Sequence, residues 1–374
     1  MILIVGGGIA GLTLGAALSR RGIACEIVER DRDSKTVGAG ITLYPNGLRA
    51  LAALGLADAV REAGAAVERV RTLRKTGELV AESPGESWQG IGTSVAIHRP
   101  RLQRILREAA GEVPTRLGVR PLRISERGSD GPGLLVDFSD GSDGSYDIVV
   151  GADGIHSSVR ETCFAPSPPP RYTGQAYWRG SVSVPVVDTS TVMMDENRYV
   201  ALMPLGGNVF YIAAQLRTVG PPPRLAPSQW HDHLARAFED FGGPAREAIG
   251  LLGNDLHFGG AEEVDRAEWR RGRAVLIGDA AHACSPVLTQ GGSLAIEDAV
   301  VLAELLGETG LAEGHGEAAS IDAGLGAFVR RREPRARWIR EQTHRYMDLM
   351  NRRASADRLV SALAEVSVVL GAPF

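Results

Sequence analysis

Five apolar residues open the chain, Met1 to Val5, and a glycine-rich step (GGGIAG, residues 6–11) interrupts them. From residue 9 to 21 apolar positions return at helical spacing, with Leu12, Ala16 and Leu18 on one side. Residues 24–29 (ACEIVE) form a second short apolar run ending in an acid, the pattern of a buried strand. Strand, glycine turn, helix and strand within about 30 residues predict the opening of a doubly wound α/β fold.

Farther along, 45–63 and 101–110 carry helical spacing. The runs 147–151 (DIVVG) and 273–278 (RAVLIG) read as short strands closed by glycine, with Asp153 and Asp279 just beyond them. Between them, across 171–264, the segments TSTVMM, RYVALMP and NVFYIAAQ predict an antiparallel sheet. Pro-rich stretches at 166–170 and 221–227 read as connectors. The organisation implied is a nucleotide-binding domain (1–70, 96–170 and 265–374, the last with a C-terminal helical region). A β-rich substrate domain (71–95 and 171–264) interrupts it. Residues 328–353 form a basic helical segment that Pro334 is expected to break. Its reading is a solvated helix that turns Phe328, Trp338, Ile339 and Met347 inward.

Composition narrows the partner. A length of 374 residues exceeds what one core usually fills, which agrees with two regions. A net charge of −4 leaves no basic footprint for nucleic acid or for stable membrane association, so the expected partner is a small molecule. Residues 1–18 carry no charged side chain, but they lack a basic leader and are broken by glycines, against a signal peptide. The three cysteines, Cys25, Cys163 and Cys284, form no CxxC pair and suit a reducing, cytoplasmic setting.

Gly6, Gly8 and Gly11 stand as GxGxxG between strand and helix. The first permits the tight turn, the second lets backbone approach a pyrophosphate, and the third lets helix meet strand. A phosphate would then face the free N–H groups of the helix N-terminus. Glu29 ends the second strand, where an acid can hydrogen-bond a ribose hydroxyl. Alone, this motif does not choose between FAD and NAD.

Two later segments do: GADGIHSSVR (151–160) and GDAAHACSPVLTQGGSLAIEDA (278–299). With the first motif they resemble the single-component (group A) flavin monooxygenases of the para-hydroxybenzoate hydroxylase family. The resemblance extends to GAGITLYPNGLRAL (38–51), HRPRL (98–102), WRG (178–180) and RRREPRARW (330–338). It implies a Rossmann-like FAD-binding domain of the GR2 type, an inserted antiparallel β-sheet substrate domain and C-terminal helices. In that comparison Gly6, Gly8, Gly11 and Glu29 hold the ADP half of FAD, with Arg30 beside the adenosine. Thr42 and Arg99 lie along the ribityl and phosphate chain, Asp153 is linked to the pyrophosphate region and to NAD(P)H use, and Asp279 binds the ribityl hydroxyls. Pro286, Thr289, Gln290, Gly291, Gly292 and Ser293 form the loop facing the isoalloxazine. Two departures, Ala283 for a usual proline and Thr289 for a usual glycine, fall on the substrate side of the flavin and remove no backbone donor.

The PVLTQGG loop and the MPLGGNVFY hairpin are similar to those of the bacterial FAD-dependent urate and aromatic hydroxylases. There Tyr211 matches a substrate-contacting tyrosine, but the substrate arginine position is Tyr199, beside Arg198, and an acid position is Val287. Urate itself is therefore not predicted. The activity implied is a monooxygenase: NADPH or NADH reduces FAD, O2 forms a flavin C4a-hydroperoxide, and one oxygen enters an electron-rich aromatic or polyketide-like molecule. The substrate is expected among Trp178, Tyr199, Met203, Tyr211 and Gln215, with Tyr211 and Gln290 as positioning groups and no base identified. The expected assembly is a monomer or homodimer.

His98, His156 and His282 read as structural and His231 and His233 as helix surface; none has metal-ligand spacing. Cys284 lacks an identified base, and no GxSxG elbow supports a hydrolase. Two alternatives stand: an FAD-dependent dehydrogenase or reductase that inserts no oxygen, and a non-catalytic flavoprotein.

Overall fold

A computed structural model describes residues 1–32, 40–85, 87–88, 92–128, 131–184, 186–253, 256–264, 268–314, 316–352 and 356–374. Its nucleotide-binding half is built on six strands in the order Thr115–Leu117, Cys25–Glu29, Ile2–Val5, Ile148–Gly151, Ala274–Leu276 and Arg270–Arg271. All neighbours run parallel except the last pair. Ile2–Val5 and Ile148–Gly151 are buried throughout, as central parallel strands covered on both faces must be. Val5 lies level with Val28 and with Gly151. Gly6, Glu29, Asp153 and Asp279 therefore gather where the strands end, the edge at which open α/β sheets bind ligands.

A second sheet has seven strands: His257–Glu263, Arg171–Val182, Phe210–Arg217, Arg198–Pro204, Ser190–Met194, Arg69–Arg74 and Leu79–Pro84. Its long pairings are antiparallel, as the alternating pattern predicts, but Ser190–Met194 runs parallel to Arg69–Arg74. The back of this sheet carries two helices absent from the sequence reading, Trp230–Ala237 and Gly243–Leu251. They and the turn between them pack Leu234, Phe238, Phe241 and Ala245 onto Trp178, Met193, Val200 and Leu202. The opposite face looks toward the nucleotide-binding half.

Pro334 does not break its helix, which runs unbroken from Ala318 to Asn351. A proline here removes one hydrogen bond and crowds a carbonyl, at about 3 kcal/mol. Contacts on both sides of it hold the helix together. Phe328 and Ile339 are fully buried, and Arg332 and Arg335 make ion pairs with the neighbouring helix Gly291–Gly307. The helix keeps a solvated face, with Arg331, Arg337 and Arg345 exposed, and turns Phe328 and Ile339 inward as expected; the departure is Arg332, a cation with no exposed surface. Trp338 and Met347 are half-buried. Among the described residues no helix is long and apolar enough to cross a membrane.

Candidate active site

The glycine turn is fixed by space. A Cβ on Gly6, whose φ is +110°, would stand 2.4 Å from the Ala152 carbonyl oxygen, and one on Gly11 would stand 1.9 Å from the Gly6 oxygen. Gly8 has nothing within 4 Å of its Cβ position, so the middle of the turn is open. The helix Ile9–Ser19 starts there with neither a side-chain cap nor an acid in its first turn, which leaves N–H donors for an anion. Glu29 accepts from the Gly7 amide at 2.7 Å and the Asp31 amide at 2.9 Å, and each oxygen keeps a second lone pair. Arg30 is exposed beside it.

Asp153 caps the helix Ser158–Cys163. Its Oδ2 accepts from the Ser158 amide and hydroxyl at 2.7 and 2.8 Å, while Oδ1 is buried without a partner. Burial pushes this carboxyl above its ordinary pKa, against the hydrogen bonds that hold it.

Asp279 follows Gly278, whose φ is +59°. Beneath this turn lies a buried ionic cluster. Asp298 accepts from the Gly278 amide at 3.0 Å and lies 2.7 Å from His282 Nε2 and 2.8 Å from Arg332 Nε. Neighbouring Glu297 pairs with Arg332 at 2.7 Å and Arg335 at 2.9 Å, and accepts from Asn46 at 3.0 Å. Burial pushes the Asp298 carboxyl up, but His282 and Arg332 pull harder and hold it at about 2. His282 also stacks on Trp269, which fits its structural reading.

The loop Pro286–Ser293 leads from this cluster into helix Gly291–Gly307. Thr289 adopts φ +52°, unusual without glycine, and lies 3.4 Å from the Tyr44 hydroxyl. Gln290 is 2% exposed, yet neither end of its amide has a partner. A buried amide is stable only when both ends are bonded, so this one fits a ring that offers both a donor and acceptors. Gly291 lies beside Asp279, its Cβ position 3.6 Å from Oδ1. Ser293 faces away: it is fully buried against Gly47, and its hydroxyl accepts from the Tyr44 amide at 3.3 Å. Its side chain therefore seats the loop and cannot reach the cofactor side.

Thr42, on strand Gly40–Leu43, donates to Met203 Sδ at 3.4 Å. Gly40 lies against Tyr211, which leaves no room for a Cβ. Arg99 opens helix Arg99–Ala110 with its Nε buried and unpartnered; burial lowers its pKa, which nearby Asp279 raises. These contacts join the nucleotide-binding half to the front of the seven-stranded sheet.

That face presents Tyr199, Met203, Tyr211 and Gln215, because Tyr199 stands opposite Gln215 and Met203 opposite Tyr211. Trp178 does not belong with them. It stands opposite Ala214, on the other face, where it is fully buried against Phe258, Phe238 and His233. His233 is accordingly part of that packing and not of a free helix surface. Alternation brings Trp178's neighbours Tyr177 and Arg179 to the front instead, two residues the sequence reading passed over. A cavity of about 250 Å³ opens at the Tyr199–Gln215 end, also lined by Met194, Arg217, Met347 and Met350. Burial pushes the Cys284 thiol up to about 12, away from the thiolate form.

Residues 1–343 match the model of the FAD binding domain family. The chain is a group A FAD-dependent monooxygenase. Among its relatives, the "Aurachin C monooxygenase/isomerase" of Stigmatella aurantiaca is 36% identical over 320 residues, 82% of this chain and 80% of the relative. The 3-amino-4-hydroxybenzoate 2-monooxygenase of Streptomyces cremeus is 34% identical over 312 residues, 80% of this chain and 77% of that protein. The solved structure of Klebsiella pneumoniae HpxO complexed with FAD and uric acid superposes with TM-score 0.81 at 28% identity, covering 98% of this chain and 92% of that one. This monooxygenase therefore takes FAD, with NAD(P)H and O2 as the co-substrates usual in its family.

Proposed function

We propose that the monooxygenase places one oxygen atom on an electron-rich small molecule, aromatic or polyketide-like, held between the flavin ring and the front of the seven-stranded sheet. The observation that carries this reading is Gln290, buried with both ends of its amide free, in the loop whose next residue, Gly291, lies beside Asp279. Bound FAD supplies the electron and oxygen chemistry, which no side chain can. The protein's own part is to hold and orient. Gly6, Gly8, Gly11, Glu29 and Arg30 take the ADP half, and Thr42, Arg99, Asp153 and Asp279 its linker. Pro286, Thr289, Gln290, Gly291 and Gly292 meet the ring. Tyr211 positions the substrate: burial raises its pKa, so its phenol remains an O–H donor at neutral pH.

The nucleotide-binding half is assigned to 1–70, 96–170 and 265–374, and the substrate half to 71–95 and 171–264, except that the boundary at 70 falls inside the strand Arg69–Arg74 of the seven-stranded sheet and so moves to before Arg69. Named relatives act on aromatic hydroxybenzoate or bind uric acid, which supports a flat, electron-rich substrate. The test is to screen such compounds for stimulated NAD(P)H oxidation under 18O2. Label in the product is expected. Stimulated oxidation that continues without O2 indicates a dehydrogenase, and a yellow protein that no compound helps NAD(P)H to bleach indicates a non-catalytic flavoprotein. Asp279→Ala is expected to lower FAD retention at least tenfold, and full flavin occupancy in that variant counts against this site assignment.

A further inference from the structure

The arginines of the seven-stranded sheet are mostly neutralised within it. Arg71 pairs with Glu82 and Asp188, Arg171 with Glu263, and Arg198 with Asp195 and Asp240. Arg179 differs. Among the described residues no carboxylate lies within ion-pair distance of it, and its guanidinium rests over the ring of Tyr177 at 5.0 Å. In register it stands opposite Ala213 on one side and His257 on the other. Ala213 in turn stands opposite Ala201, so the side chains next to the cation across these two strands are among the smallest.

Among the described residues, the titratable groups facing Arg179 on this sheet supply no negative charge. Burial holds the three phenols on this face neutral: Tyr177 is well above its ordinary pKa, Tyr199 is at about 12, and Tyr211 is raised. Burial and Arg179 together lower His257, so it is a neutral ring at pH 7. A second cation, Arg99, is close enough to feel the charge of Arg179: burial lowers its pKa first, Asp279 raises it, and Arg179 lowers it further. Among these described residues, the face therefore holds two guanidinium groups, Arg99 and Arg179, against the carboxylate of Asp279.

We propose that Arg179 is the specificity-determining residue of this site and selects a substrate that presents an anionic oxygen, a carboxylate or an ionised hydroxyl, to its guanidinium. The proposal rests on the reading of this face as the substrate side. A planar guanidinium binds such a group through two parallel hydrogen bonds, and neighbouring phenol donors complete the recognition. An ionised hydroxyl is also the state in which an aromatic ring is richest in electrons.

The test uses the oxidised FAD holoenzyme and two matched pairs of probes at about pH 8, where nitrophenol is ionised: 4-methoxybenzoate against 4-methoxybenzamide, and 4-nitrophenol against 4-nitroanisole. Binding is read from perturbation of the flavin spectrum, corrected for absorption by the probe. In the wild type the anion of at least one pair is expected to bind tenfold or more tighter than its neutral partner, and the pair concerned tells carboxylate from hydroxyl. Arg179→Gln is expected to weaken the anion by about 10–100-fold, as loss of a charged hydrogen-bond partner does, and the neutral probe by less than about twofold. Arg179→Lys keeps part of the preference. Ala213→Asp, which sets a carboxylate against the arginine, abolishes it without removing Arg179 and decides the matter if Arg179→Gln does not retain FAD. No preference in either wild-type pair, including no binding by any probe, overturns the proposal; so does a preference that survives in Arg179→Gln or Ala213→Asp. Because binding is measured without turnover, a protein that ranks the anions but incorporates no label from 18O2 fails the monooxygenase reading alone.

Discussion

The guanidinium of Arg332 meets the carboxylate of Asp298 in the interior, Nε to Oδ1 at 2.8 Å, and neither side chain has exposed surface. Asp298 is also the acceptor for the Gly278 amide, one residue before Asp279. The helix Ala318–Asn351 is thereby tied to the turn that carries a candidate cofactor residue.

Arg332→Met should therefore cost more than a surface charge. It leaves Glu297 and Asp298 buried with less positive charge, a change worth roughly 3–5 kcal/mol when a buried pair loses one member. Urea unfolding of the holoprotein measures it. A loss below about 1 kcal/mol would mean that the cluster is wet.

The same cluster sets an acid limit. Asp298 has an ordinary pKa of 3.8 and is held at about 2 in the fold, so its contribution is complete above the ordinary value and is lost as pH falls through about 2. Its share is roughly 2 kcal/mol. Asp298→Asn should flatten the fall in stability between about pH 4 and pH 2, as followed by circular dichroism. An unchanged acid profile in the variant would contradict this.

Gly8 and Gly11 separate cofactor contact from packing. Gly11→Ala drives a Cβ to 1.9 Å from the Gly6 oxygen and should cost roughly 1–3 kcal/mol even in the apoprotein. Gly8→Ala meets no atom within 4 Å, so the apoprotein should melt like wild type while FAD binds more weakly. Thermal melts with and without FAD give both numbers. Equal apoprotein losses in the two variants would refute the distinction.

No thiol of the native protein should react quickly. Burial raises Cys25 and Cys163 to about 11 and Cys284 to about 12, so almost no thiolate exists at neutral pH. Ellman's reagent should find three thiols only after denaturation. Rapid labelling of Cys284 in the folded state would show that the loop before Pro286 opens.

What the sequence made legible was local. The glycine turn announces itself because Gly6, Gly8 and Gly11 sit between two apolar runs, and of the five residues expected beside the substrate, Tyr199, Met203, Tyr211 and Gln215 share one face of the sheet. Alternation does not say which face is which, and so Trp178 was exchanged for its neighbours Tyr177 and Arg179. That choice depends on the helices Trp230–Ala237 and Gly243–Leu251, whose short apolar sets lie in a segment that otherwise reads as strand and loop. Pro334 misled for a similar reason. The rule for proline is local, whereas the pairs that override it come from Glu297 and Asp298 on another helix.

The unbroken helix Ala318–Asn351 has a mechanical consequence. From Arg332 to Met347 it rises about 22 Å, joining the ionic cluster below Asp279 to the wall of the cavity beside Tyr199. It works as one strut with an anchor at each end. Cutting the chain before Arg332 would remove the cavity wall and the anchor together, so such a truncation would report cofactor retention and substrate access as one event, and only point changes can part them.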